Sequence, residues 1–169
     1  DKLFELCRFF STEADGLVSL ADYVGRMKEG QDAIYYITGE DTEALSESPQ
    51  IEGFRARGVE VLLLTDGIDE FWLPAVGTYE EKPFKSVTLG GADLDGIKEA
   101  CAENKKDVPE KADDADTAKL ILAFKKALGE AIKDVRPSNR LTDSAVCLVA
   151  DEGDMDLHLE RMLKQHGHM

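Results

Sequence analysis

The chain has 169 residues, 43% hydrophobic and 33% charged, with 35 acidic against 20 basic side chains and a formal net charge of −15. That length suits one large domain or two small ones with a real core. So acidic a chain repels polyphosphate and excludes DNA and RNA as partners, and no apolar run approaches the roughly 18–20 residues that cross a bilayer.

Cys7, Cys101 and Cys147 are odd in number and far apart. They form neither a CxxC pair nor a zinc knuckle, which argues for small buried thiols in a reducing cytosol. No signal peptide opens the chain. It begins DKLFELCRFF without an initiator Met and reads as cut from something longer.

In chain order, Leu3, Leu6 and Phe10 recur at helical spacing and predict a helix end over residues 1–10. Ser19 three before Asp22 resembles a capping box, so a helix is expected from Leu20 to Lys28, stopping at Gly30. Ala33–Thr38 reads as a buried strand. Ser48-Pro49 predicts a serine-capped helix that Gly58 ends, followed by a second buried strand at Val59–Thr65. Strand, helix, strand in this order predicts parallel pairing through a right-handed crossover. Ile68–Leu73 is expected as a short helix limited by Pro74, and Phe84–Thr88 as an edge strand.

Leu89-Gly90-Gly91 marks a boundary. Beyond it, Asp93–Ala102 is expected helical and Glu103–Asp116 a solvated charge run, with a partner contact as the lesser alternative. Thr117 is expected to cap an amphipathic helix to Ile132. Val135 with Leu141–Thr142, and then Ala145–Ala150, read as strands around an Asp143-Ser144 turn, and a final helix closes the chain. The fold class is α/β in the α+β sense: two small α-β-α units, each a short sheet with flanking helices, over residues 1–88 and 89–169.

Few residues suggest chemistry. His158, His166 and His168 are the only histidines. The eight-residue spacing of the first two is wrong for ligands on one helix, so they read as solvent-facing. There is no GxSxG, HExxH or P-loop. Asp66, Asp69 and Glu70 sit at a helix start, where the macrodipole explains them, while a general-acid pair remains the sharper alternative. Met155, Leu159, Met162 and Leu163 form one apolar stripe on the last helix. Core packing is the plain explanation, yet methionine on such a stripe also suits a surface that meets many partners. Phe71 and Trp72 are adjacent and cannot both point inward, so one of them is exposed or interfacial.

LADYVGRMKEGQDAIYYITG, SPQIEGFRARGVEVLLLTDGIDEF and VRPSNRLTDSAVCLVADEGDM together resemble the heat-shock-protein-90 chaperones of the bacterial high-temperature protein G type, over nearly the whole chain. The resemblance implies the end of a middle domain (1–88) followed by the start of a C-terminal domain (89–169) without its dimerisation helices. It implies a cytoplasmic, stress-responsive, homodimeric parent that uses ATP and Mg to remodel partly folded clients. The ATP pocket would lie in an N-terminal domain outside this chain, so no catalytic residue, cofactor or metal is expected here. The piece itself would be a monomer or weak oligomer that meets clients and its own N-terminal and middle domains. Client contacts would fall on Met155, Leu159, Met162 and Leu163, and on Phe71 or Trp72, where the family's aromatic position holds Phe71 and Pro74 departs from the pattern. Two other classes stay open: a small α/β enzyme or ligand-binding domain using Asp66, Asp69 and Glu70, and an assembly module.

Overall fold

A computed structural model describes residues 3–90, 94, 97, 114–138, 140–151, 153–165 and 167. Its centre is a five-stranded mixed sheet of β1 (Phe10–Ser11), β2 (Ile34–Thr38), β3 (Leu62–Leu64), β4 (Thr78–Tyr79) and β5 (Lys82–Ser86), in the order β1-β3-β2-β5-β4. The three inner strands run parallel, and each outer strand is antiparallel to its neighbour. The α+β class read from the sequence is the one the chain adopts.

Alternation along β2 divides the core. Tyr35 and Ile37 enter a cluster with Leu45, Ile51, Phe54, Val61 and Leu63. Ile34 enters the opposite cluster with Leu20, Tyr23, Leu62, Leu64 and Leu73, against which Tyr36 also packs. The first face is covered by α2 (Thr42–Ser46) and α3 (Glu52–Ala56), the second by α1 (Leu20–Arg26) and α4 (Asp69–Val76). Both faces being covered explains why β3 is wholly apolar and β2 nearly so, its last residue being the buried Thr38. Two polar ties tighten α1: the Tyr23 hydroxyl donates to the Glu60 carbonyl at 2.8 Å, and Arg26 grips the buried Glu60 carboxylate at 2.9 and 2.7 Å.

Several local expectations hold. Ser19 and Asp22 form a complete capping box on α1, and Gly58 leaves α3 with φ 63°. Others are corrected. Residues 3–6 are a turn, and Phe10 belongs to β1, because Leu3 and Leu6 stay exposed and gain nothing from a helix. Ser48 does not cap: its hydroxyl turns to Gln50, and Pro49–Ile51 forms a 3-10 turn ahead of α3. Pro74 lies inside α4, which continues to Val76 and ends at Gly77, φ 72°. β5 is no edge strand, since β4 covers it through a hairpin with Glu80 and Glu81 both at positive φ.

Beyond residue 90, α5 (Asp114–Leu128) starts before Thr117 and ends in a 3-10 turn at Gly129–Ala131. The strands expected at Val135, Leu141–Thr142 and Ala145–Ala150 do not form, so the described residues contain no second sheet. One parallel bridge, Leu89 to Ala150, is all the pairing that segment makes. The helix expected at Asp93–Ala102, and most of the charge run Glu103–Asp116, lie outside the described residues. The last helix, α6, spans Leu157–Gln165.

Candidate functional site: the α4–α6 corner

The two aromatics of α4 part company. Trp72 lies against Phe4, Phe9 and Phe84, with ring centroids 5.6, 6.1 and 5.9 Å away, and its Nε1 donates to Asp69 at 2.6 Å. Phe71 points outward and stays 57% exposed, next to the exposed Ile68. Of the two residues named from the sequence, Phe71 is the open one and Trp72 is half-buried, packed against the second core cluster.

α6 lies along the start of α4. His158 Nδ1 pairs with Glu70 Oε1 at 2.8 Å, and Met162 Sδ is 3.8 Å from where a Cβ on Gly67 would sit. No described residue of α6 is buried. Met155 precedes the helix and is 41% exposed, whereas Leu159, Met162 and Leu163 are half-buried. The apolar stripe is therefore not sealed in a core, and it opens beside the end of α4 that carries Ile68 and Phe71.

A polar seam holds this helix to the sheet. Ser86 and Thr88, both buried, donate their hydroxyls to Asp156 Oδ2 at 2.5 and 2.6 Å. Asp156 Oδ1 accepts the His158 backbone N–H at 3.1 Å. Burial pushes the Tyr36 phenol up, and the Asp156 and Glu70 carboxylates push it further. Sequence reading missed this seam and placed His158 in solvent. The signal was a Ser and a Thr two apart at the end of a strand and an Asp ahead of a helix, each too common to stand out alone. His166 and His168 lie outside the described residues.

The acidic trio does not converge. Glu70 turns to His158, while Asp69 faces the other way, toward a cavity of about 290 Å³ lined by Arg8, Phe9, Leu64 and the exposed Asp66. Burial raises the Asp69 carboxyl, opposed by the Trp72 bond and reinforced by the Asp66 charge. Asp66 and Asp69 therefore share one pocket wall, while Glu70 is turned away toward His158 and the three do not act as a unit. Among the described residues no cluster of His, Cys, Asp or Glu has the arrangement to hold a metal. Cys7 and Cys147 are half-buried free thiols.

The Hsp90 protein family model matches residues 1–169. The chain is 57% identical over 169 residues to the Chaperone protein HtpG of Roseobacter denitrificans, covering all of this chain and 27% of that one. It is 62% identical over 165 residues to the Chaperone protein HtpG of Paramagnetospirillum magneticum, covering 97% and 26%. The protein of that name in Rhodospirillum rubrum is 55% identical over 168 residues, covering 98% and 27%. The chain thus spans about a quarter of the length of these relatives. With a family model matched from end to end, and 55–62% identity to these three relatives, the chain belongs to the heat-shock-protein-90 family.

Proposed function

We propose that this chain is the client-facing part of a cytoplasmic, ATP-driven chaperone, with residues 1–88 closing the middle domain and 89–169 opening the C-terminal domain. One observation carries the reading: an amphipathic helix with no buried residue lies beside the exposed Ile68 and Phe71. Apolar groups left open at one corner of a strongly acidic molecule hold unfolded segments through adaptable contacts, while net charge keeps the molecule from self-association. Met155, Leu159, Met162, Leu163 and Phe71 make the contact, and Trp72 supports Phe71 from beneath. Nucleotide chemistry belongs to another part of the parent homodimer, so the piece alone binds clients without turning over ATP. Among the described residues no helix is long and apolar enough to cross a membrane.

The test is Met155→Glu with Met162→Glu in this 169-residue chain, read by affinity for a permanently unfolded protein such as reduced, carboxymethylated lactalbumin. Affinity should drop at least tenfold, while the thermal midpoint falls only modestly, because Met155 is exposed and Met162 is half-buried rather than core. A collapsed thermal transition would instead make the stripe core.

A further inference from the structure

Asp156 does two tasks with one carboxylate. Oδ1 accepts the His158 N–H and so caps α6 at its second N–H, while Oδ2 accepts both the Ser86 and the Thr88 hydroxyl at 2.5 and 2.6 Å. Tyr36 is opposite Ser86, so Ser86 ends β5 on the face where Tyr36 and Ile34 pack, and Thr88 follows in the turn after it, bound to the same carboxylate oxygen. Both hydroxyl protons go to Oδ2, so the 2.8 Å approach of the two hydroxyl oxygens is not a further hydrogen bond, and the Thr88 backbone N–H donating to the Ser86 hydroxyl at 3.3 Å holds them side by side as a fork. Bonds from buried hydroxyls to an ionised oxygen are strong and directional, whereas α6 contributes no buried apolar side chain to hold itself down. The next residue but one, His158, adds a second tie to α4.

We infer that Asp156 is the positioning residue of the client-binding stripe. By tying the first turn of α6 to the Ser86–Thr88 fork, it sets the rotation of the helix and keeps Leu159 and Met162 toward the open side beside Phe71. The inference rests on the proposed client-holding role, and it adds that client affinity depends on two hydroxyls that no client touches.

The decisive variant is Ser86→Ala with Thr88→Val, which removes both hydroxyls, keeps the buried volume and leaves Asp156 free to cap. Amide exchange over α6 should quicken about tenfold, the loss of hydrogen bonds to a charged group, while β2 and β3 keep their protection. Affinity for carboxymethylated lactalbumin should fall about fivefold or more, since only part of the anchoring energy is felt at the stripe. The swap Ser86→Thr with Thr88→Ser keeps both hydroxyls and should restore both readouts. Unchanged exchange over α6 would overturn the anchor. Quickened exchange with unchanged client affinity, in a protein whose Met155→Glu/Met162→Glu variant no longer binds, would overturn the positioning role and leave the stripe standing. If that double glutamate variant binds normally, the client reading itself falls and Asp156 has nothing to position.

Discussion

A methyl group added at Gly53 would lie 2.6 Å from the Arg140 carbonyl oxygen and 2.7 Å from its Cα. Backbone meets backbone there, so neither side can step aside cheaply. Gly53→Ala should therefore destabilise by about 1–3 kcal/mol, despite alanine's better helix propensity, as a lower urea midpoint. An unchanged midpoint would mean that Arg140 does not rest on α3. The neighbouring Glu52 works in the opposite sense, by attraction. Its carboxylate accepts the backbone N–H groups of Thr142, Asp143 and Ser144 at 2.9, 3.1 and 3.2 Å, and also the Ser144 hydroxyl. Partial burial pushes this carboxyl up, but the Ser144 hydroxyl and the three amides outweigh it and hold it down at about 2, against an ordinary 4.5. A carboxylate depressed by folding contributes stability above its unfolded value and loses it as pH falls toward the folded one. Melting curves should show Glu52→Gln less stable than the parent at pH 7, with the gap closing as pH drops from about 4.5 to about 2. A gap independent of pH would sever Glu52 from the acid transition.

At the scale of the element, α4 puts adjacent aromatics to separate uses. Trp72 bridges Phe4, Phe9 and Phe84 and packs half-buried against the second cluster, so Trp72→Ala should cost about 2–3 kcal/mol in chemical denaturation, below the loss of a fully buried aromatic. Phe71 is mostly in water, so Phe71→Ala should change stability by less than about 0.5 kcal/mol while weakening capture of an unfolded chain. Equal destabilisation by both would mean that Phe71 is packed. The sequence already said that only one of the two could be inward. Which one depends on contacts from residues 4, 9 and 84, and local spacing contains no information about them. The same limit explains the other misses. The helix-period pattern at Leu3, Leu6 and Phe10 was real, but pairing of Phe10 with Leu63 overrode it. The β4–β5 hairpin turns on two glutamates at positive φ rather than on Asn-Gly, so its usual signal was missing. By contrast the capping box on α1, the buried β2 and β3 and their parallel pairing were legible, because local pattern and tertiary environment ask for the same residues there. Of the site, the stripe residues could be named from their spacing, whereas their anchoring by Asp156 to Ser86 and Thr88, 70 and 68 positions away, could not.

Across the whole molecule, the segment after residue 138 is held to the sheet by polar contacts more than by an apolar interface. Besides Glu52 and Asp156, the buried Arg140 guanidinium donates to the carbonyls of Val87, Leu89 and Gly90 at 3.1, 3.1 and 3.0 Å. Charge also sets what this surface attracts. The net −15 is far-reaching, yet some acids next to α6 are already neutralised: Lys133 pairs with Asp154 at 2.7 Å and Asp151 at 3.3 Å, and Arg136 joins them. On the proposed client-holding role, the field acts mainly by steering cationic unfolded segments toward the stripe rather than by tight ion pairs at it. Steering is screened by salt, whereas apolar contact is not, because the Debye length shrinks from roughly 10 Å at 0.1 M to about 3 Å at 1 M. Stopped-flow association with a lysine-rich unfolded peptide should slow severalfold between 0.05 and 0.5 M NaCl, with dissociation nearly constant. A neutral peptide of the same apolar content should associate at one rate throughout. If salt instead speeds dissociation of the basic peptide and leaves its association alone, direct ion pairs at the site hold it, and the greasy stripe beside Phe71 is not the principal contact.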